Sequence, residues 1–283
     1  MGQYRTIGVE PMAGAMGAEI QGVDLSKPLS NATREDIHRA FLAHQMIVFR
    51  DQRLSPQGQV SLARLFGKPA IYPFLKGLDG IPEVNELIKT ETDTKNFGGG
   101  WHSDTAYKER PDLGTLLYAV EVPPAGGDTL FASMTAAYDA LSDGMKRLLD
   151  GLTALNNSDK LYPGGRTANL KTLGAMGRAV VAAEPLEAWH PVVRTHPVTG
   201  RKALYVNPSH TVRFKDMTEA ESKPLIDFLC AHAVRPEFTC RLRWRKGTLA
   251  IWDNRVTQHF ALNDYQGRRR HMHRVTIEGD RPV

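Results

Sequence analysis

The run Gly98-Gly99-Gly100-Trp101-His102-Ser103-Asp104 places a histidine and an aspartate two residues apart, directly after three glycines. On a β-strand, side chains at i and i+2 leave the same face, so His102 and Asp104 can reach one metal ion together. A third ligand has to come from elsewhere in the chain. The best candidate is His259, at the end of Trp252-Asp253-Asn254-Arg255-Val256-Thr257-Gln258-His259. Two imidazoles and one carboxylate on one side of an iron, with the other positions open, suit oxygen activation by non-haem Fe(II).

His-x-Asp alone is a weak signal, and the chain has ten histidines. His190 and His196 each precede a proline, which fits turns better than a metal site. His38, His44 and His232 fall on expected helices. His271 and His273 compete more seriously, since both would face one side of a strand. If Arg270, Met272 and Arg274 point into a barrel, alternation sends the two histidines outward. Two inward guanidinium groups could then hold two anions, because arginine grips carboxylates with a rigid fork. The competing reading is that Arg268-Arg269-Arg270 is only a solvated basic turn.

These side chains need a scaffold, and composition narrows it. The 283 residues are 41% hydrophobic and 24% charged, with 25 Gly and 17 Pro spread without period. That is a globular protein of many short strands, long enough for a sizeable core. The formal charge of +5 contains no block of like charge. It fits a preference for anionic small molecules rather than nucleic acid, and Arg241-Leu242-Arg243-Trp244-Arg245-Lys246 alternates as a half-buried strand does. Two cysteines, Cys230 and Cys240, make no disulfide framework, and no run is apolar enough to span a membrane. A cytoplasmic location is expected, with no membrane or nucleic-acid partner.

Along the chain, residues 4–25 predict short strands. A helix of about three turns follows from Thr33, with Ile37, Ala40 and Phe41 at helical spacing. Met46–Phe49 is a continuous apolar run, as in a strand buried on both faces. Ser55-Pro56 then caps a second helix. Residues 69–100 look irregular and are expected to form an active-site loop. A strand is expected near 115–120, extended chain at 129–131, and a helix pair over 133–151 with Ser142 as the second cap. Residues 157–189 show no period and four glycines, which predicts a mobile insertion or lid. Strands are expected at 192–195, 203–206, 239–245, 248–252 and 272–277. One helix, near 218–233, interrupts them, with Leu225, Phe228, Leu229 and His232 on one face and Pro224 in its first turn or at a kink. Strands at both ends with helices between predict one domain over 1–283, mainly β with helical insertions: a jelly-roll barrel.

Trp101 to Asp104, Gly126-Gly127-Asp128-Thr129, His190 to Pro197, Trp252 to His259 and Arg270 to Arg274, taken in order, resemble the TauD/TfdA family of Fe(II)- and 2-oxoglutarate-dependent dioxygenases. The likeness runs from Val9 to Asp280. It implies a double-stranded β-helix (cupin-like), iron held by His102, Asp104 and His259, and 2-oxoglutarate on that iron with its far carboxylate on Arg270 and Thr129. It also implies that Arg274 holds an anionic group of the prime substrate and that O2 is the oxidant. Where taurine dioxygenase presents polar anchors to its sulfonate, this chain is expected to present Tyr72 and Gly98, flanked by Leu75 and Phe97. That suggests a larger or aromatic substrate. The implied activity is hydroxylation of a small organic anion of the phenoxyalkanoate, sulfonate or sulfate-ester type, with collapse of the product where the new hydroxyl shares its carbon with the leaving group. Taurine or alkylsulfonate oxidation is the alternative, and a non-catalytic anion-binding barrel is a weaker one. A homo-oligomer, dimer or tetramer, is expected.

Overall fold

The computed structural model describes residues 4–162, 164–181 and 184–283. Its largest sheet has the order Gly8–Pro11, Ala18–Gln21, Met46–Phe49, Leu249–Asp253, Gly114–Glu121, Arg270–Ile277 and Pro69–Ala70, and Asn85–Lys89 also pairs with Arg270–Ile277. A smaller sheet of Thr239–Leu242, Thr129–Ser133 and Thr257–Ala261 faces it. Strands adjacent in space are far apart in sequence and almost all antiparallel. This is the jelly-roll arrangement.

Strand alternation builds two cores back to back. Met46, Val48, Leu117, Ala119, Ala250, Trp252 and Met272 point between the sheets, where Phe131, Leu242 and Trp244 meet them from the smaller one. Their neighbours Ile47, Phe49, Leu116, Ile251, Val275 and Ile277 point outward. That outer face is covered by the helices Asn31–His44, through Ile37 and Phe41, and Pro56–Ala63, through Val60 and Ala63. Met46–Phe49 reads as unbroken apolar sequence because both of its faces are buried. Each large side chain so buried contributes about 1.5–3 kcal/mol. The hydroxyls of Ser30 and Ser55 cap the two helices by accepting from the backbone N–H of Thr33 and Gly58.

Several expectations change in detail. Residues 69–100 are not wholly irregular, since Asn85–Lys89 completes the large sheet beside Arg270–Ile277. Strands Thr153–Asn157, Thr211–Phe214 and Thr257–Ala261 appear where none was expected. The region 157–189 contains helices Arg166–Leu170 and Gly174–Gly177 and the strand Glu187–Pro191, while residues 163, 182 and 183 of it lie outside the described residues. It is tied to the 69–100 region: Lys76 N–H donates to Ala179 O (2.7 Å) and Val181 N–H to Phe74 O (3.0 Å).

The late helix runs Glu219–Ala233, opened by a capping box between Thr218 and Glu221, with Pro224 beyond its first turn. Its buried face is Ser222, Ile226, Leu229 and Ala233; of the expected face Leu229 is buried, Leu225 and His232 are half-buried, and Phe228 is exposed. Among the described residues no helix is long and apolar enough to cross a membrane.

Candidate active site

The two halves of the metal candidate meet through backbone. His102 N–H donates to His259 O (3.1 Å) and His259 N–H to His102 O (2.8 Å), which sets the imidazoles side by side with ring centres 4.2 Å apart. The expected strand at 102–104 is only this single bridge. Beyond it the chain turns, with Thr105 in the left-handed region at φ 52°. The turn still brings Asp104 Oδ1 to 3.6 Å from His102 Nε2 and 3.9 Å from His259 Nε2. Those spacings are too long for hydrogen bonds. They match two donors that share one ion about 2.1 Å from each, which lie roughly 3–4 Å apart.

The surroundings fix which atoms are free. His102 Nδ1 donates to Gly100 O (2.7 Å), so its Nε2 carries the lone pair. Asp104 Oδ2 accepts from Thr115 Oγ1 (2.7 Å), leaving Oδ1 to face the imidazoles. Thr115 Oγ1 in turn accepts from Asn254 Nδ2 (3.1 Å), and Asn254 Oδ1 accepts from Trp252 Nε1 (2.8 Å). Ser103 Oγ lies 2.7 Å from both Asn254 O and Thr257 O and so ties the two motifs together. Thr115, Asn254 and Ser103 were not singled out by sequence. Asn254 and Ser103 lie inside the quoted motifs, so position was the available signal; Thr115 had none.

Electrostatics prepares the same donors. Burial, together with the charge of His102 and Arg274, pushes His259 down to about 3, against a smaller opposing pull from Asp104. Burial alone would raise Asp104, but His259, His102 and Arg274 hold its carboxyl well below the usual carboxylate range. A neutral His259 imidazole, the unbonded Nε2 of His102 and an ionised carboxylate form a donor set suited to a divalent first-row cation.

Alternation along Arg270–Ile277 puts Arg270, Met272 and Arg274 inward and leaves His271 and His273 half-buried on the other face, beside Glu86. Arg270 and Arg274 are 8% and 4% exposed, and Nε and Nη2 of both lack any hydrogen-bond partner. Buried guanidinium atoms without partners are costly, so the arrangement calls for an anion. Both arginines line a small inner cavity together with His102, Asp104, Thr129 and His259. Trp244 Nε1 donates to Thr129 Oγ1 (2.9 Å) and its ring lies 5.8 Å from the Arg270 guanidinium. Gly127 stands beside Arg270 at φ 69°, where side chains are strained, and a Cβ there would come to 3.2 Å from Tyr265 Cδ1.

An outer cleft of about 320 Å³ opens from His102 and Asp104 to solvent. Tyr72 lines it with its ring 4.2 Å from the Arg274 guanidinium, and Phe97, 5.4 Å from that guanidinium, lines both spaces. Gly98 also borders both at φ 79°; a Cβ there would come within 3.4 Å of His102 Cε1. Leu75 lines neither space. It packs in the barrel core behind Tyr72, 2% exposed, with its carbonyl accepting from Asn85 Nδ2. The turn expected at His196 hides a further interaction: His196 Nδ1 accepts from the N–H of Val198 and Thr199, so Nε2 donates to Asp253 Oδ2 (3.0 Å) beside Arg255.

A jelly-roll barrel whose mouth gathers two imidazoles, one carboxylate and two buried guanidiniums with N–H groups left unbonded belongs to the metal-dependent, anion-using enzymes of the cupin-like type. The chain is a member of the taurine catabolism dioxygenase TauD, TfdA family, whose family model matches residues 8–276. It is 38% identical over 281 residues to an alpha-ketoglutarate-dependent sulfate ester dioxygenase of Pseudomonas putida, covering 97% of this chain and 90% of that protein. An alpha-ketoglutarate-dependent 2,4-dichlorophenoxyacetate dioxygenase of Cupriavidus pinatubonensis is 31% identical, covering 96% and 98%. A taurine dioxygenase from Burkholderia xenovorans superposes with a TM-score of 0.83 at 33% identity, covering 99% and 91%. The protein is thus a 2-oxoglutarate-dependent dioxygenase that uses Fe(II), 2-oxoglutarate and O2 on a small molecule.

Proposed function

We propose that His102, Asp104 and His259 bind the Fe(II), that Arg270 and Thr129 hold the far carboxylate of 2-oxoglutarate in the inner cavity, and that Arg274 pairs with an anionic group of the prime substrate where the two spaces meet. The residues fit these groups, because Arg270 and Arg274 carry buried unpartnered donors and the three ligands carry free lone pairs. When bound, iron and 2-oxoglutarate supply the family's oxidising chemistry, in which O2 is consumed, 2-oxoglutarate leaves as succinate and carbon dioxide, and a substrate C–H becomes C–OH. The chain's own share is positional. Gly100 and Thr115 orient the ligands, Trp244 aims the Thr129 hydroxyl, and Tyr72 and Phe97 cover Arg274 against water.

The substrate we infer is an alkyl sulfate ester or a related non-amino organic anion, with phenoxyalkanoates second. The observation that carries this is the outer cleft. Its lining includes Phe97, Leu161, Leu170 and Leu173 for an apolar tail, and its only carboxylate among the described residues is Asp104, a proposed iron ligand. The ammonium of taurine would find no acidic partner there. Hydroxylation at the carbon bearing the ester oxygen gives a hemiacetal-like product, which collapses to an aldehyde and inorganic sulfate. We further propose a single domain over 1–283, an active-site loop at 69–100, a lid at 157–189, a cytoplasmic location and a dimer or tetramer in solution.

The test is to hold the Fe(II) and 2-oxoglutarate complex without oxygen and titrate it with alkyl sulfates, alkyl sulfonates, phenoxyalkanoates and taurine. The metal-to-ligand absorption band is followed throughout. The band should shift with alkyl sulfates at the lowest concentration; a shift with taurine alone would overturn the substrate reading.

A further inference from the structure

Arg166 is a buried cation that neither the proposed iron site nor the 2-oxoglutarate site uses. It opens the short helix Arg166–Leu170 in the 157–189 region, is 5% exposed, and lines the outer cleft with His102 and Asp104. Among the described residues no carboxylate lies within ion-pair distance of it. Its guanidinium is instead boxed by the rings of Phe74 (5.3 Å), Tyr107 (4.9 Å) and Tyr162 (4.7 Å). Nε donates to Ser158 O (2.9 Å), and Nη1 reaches the Tyr72 hydroxyl only at 3.4 Å.

Tyr72 therefore stands between two guanidiniums, with Arg274 on its ring face at 4.2 Å and Arg166 at its hydroxyl. The rings relieve part of the cost of burying Arg166, yet its charge is not neutralised. A cleft bordered by Lys95 and Arg166, with only the proposed iron ligand Asp104 as an acid, attracts an anion to that end.

We propose that Arg166 is a second anion-binding residue of the substrate cleft. It holds a terminal oxygen of the oxyanion that Arg274 holds from the other side of Tyr72, so the site prefers three-oxygen headgroups, sulfate or sulfonate, over the two-oxygen carboxylate. The inference rests on the substrate reading above and sharpens it. A carboxylate can satisfy one guanidinium fork with both of its oxygens, whereas a sulfate engaged in the same way keeps a third oxygen for a second cation. Because Arg166 sits in the segment bridged to residues 74–76, the same contact would fasten that segment over the bound substrate.

The experiment is binding calorimetry on the anaerobic Fe(II) and 2-oxoglutarate complex, comparing wild type with Arg166→Gln and Arg166→Lys. The ligands are octyl sulfate, octanesulfonate and nonanoate. For Arg166→Gln the dissociation constants of the sulfate and sulfonate should rise about 10–100-fold, the span of one charge-assisted hydrogen bond. That of nonanoate should rise no more than a few fold, and 2-oxoglutarate affinity should be unchanged. Arg166→Lys keeps the charge and the ring contacts but loses the fork, so it should fall between wild type and Gln for sulfate. It also serves if the Gln variant does not fold.

Equal weakening for all three headgroups would assign Arg166 to holding its segment in place and overturn the proposal. Unchanged sulfate binding in both variants would overturn it too, while leaving the substrate reading intact. A wild type that binds none of the three would remove the substrate reading and this inference together.

Discussion

Thr115 offers the sharpest way to perturb the proposed iron site without touching a ligand. Its side chain is fully buried on Gly114–Glu121, and its hydroxyl donates to Asp104 Oδ2 at 2.7 Å while accepting from Asn254 Nδ2 at 3.1 Å. Thr115→Val keeps the shape and the strand preference and removes only that hydroxyl. A hydrogen bond to an ionised carboxylate is worth about 1.5–3 kcal/mol, and loss of such an outer partner of a metal ligand weakens metal binding about 10–100-fold. Asn254 is left with a buried donor lacking its acceptor, which costs folding stability roughly 1–3 kcal/mol. The assay is anaerobic Fe(II) titration of the apoprotein with saturating 2-oxoglutarate, next to a denaturant melt of each protein. The expected pair of results is Fe(II) affinity reduced by at least about tenfold and a modest stability loss. A folded variant whose Fe(II) affinity stays within about threefold of wild type would refute the claim that Thr115 orients Asp104 as a ligand.

Other outcomes follow from the same geometry. Arg270→Gln should raise the 2-oxoglutarate dissociation constant at least about 100-fold, since a buried fork to a carboxylate is lost; Arg274→Gln should weaken the prime substrate and spare 2-oxoglutarate. If steady-state kinetics show the reverse, the two arginines exchange roles. Trp244→Phe, which frees the Thr129 hydroxyl, should weaken 2-oxoglutarate by about 5–10-fold, readable in the same titration. Acid should destabilise the apoprotein. Burial holds His259 at about 3 and His190 at about 4, below the usual histidine value, so the unfolded chain takes up protons first as pH drops through about 6.5. Each such group costs about 1.4 kcal/mol per pH unit from there down to its folded value, and urea midpoints that stay flat between about pH 7 and pH 4.5 would contradict this. Phe41→Ala, at the helix-sheet contact away from the site, should cost about 3–5 kcal/mol of stability in a urea melt and leave Fe(II) affinity unchanged.

That His102, Asp104 and His259 come together was legible because the geometry needed is local for two of them and the third lies in a dense motif. The inward set Arg270, Met272 and Arg274 followed from period-two alternation, which the sheet enforces by burying one face. Helices with strong caps at Ser55 and Ser142 could be read as well, whereas the first helix, expected from Thr33, starts at Asn31 under a Ser30 cap. What sequence missed has a common physical origin. Thr257–Ala261 and Thr153–Asn157 are strands because long-range partners pair with them, not because of their own pattern. Leu75 was expected at the substrate wall as an apolar neighbour of Tyr72, yet the 74–76 backbone pairs with 179–181 and turns that side chain into the core. The outer partners Thr115 and Trp244 are ordinary strand residues until the fold brings a carboxylate or a threonine hydroxyl to them. Arg166 likewise had no signal in a glycine-broken stretch.

The central claim is that His102, Asp104 and His259 together hold the iron that turns over an organic anion. It is tested most directly by measuring succinate formed from 2-oxoglutarate with and without an alkyl sulfate, in wild type and in Asp104→Ala, with released sulfate measured in parallel. The account predicts alkyl-sulfate-dependent succinate matched by sulfate in wild type and neither product in the variant. Full succinate formation by Asp104→Ala would contradict it.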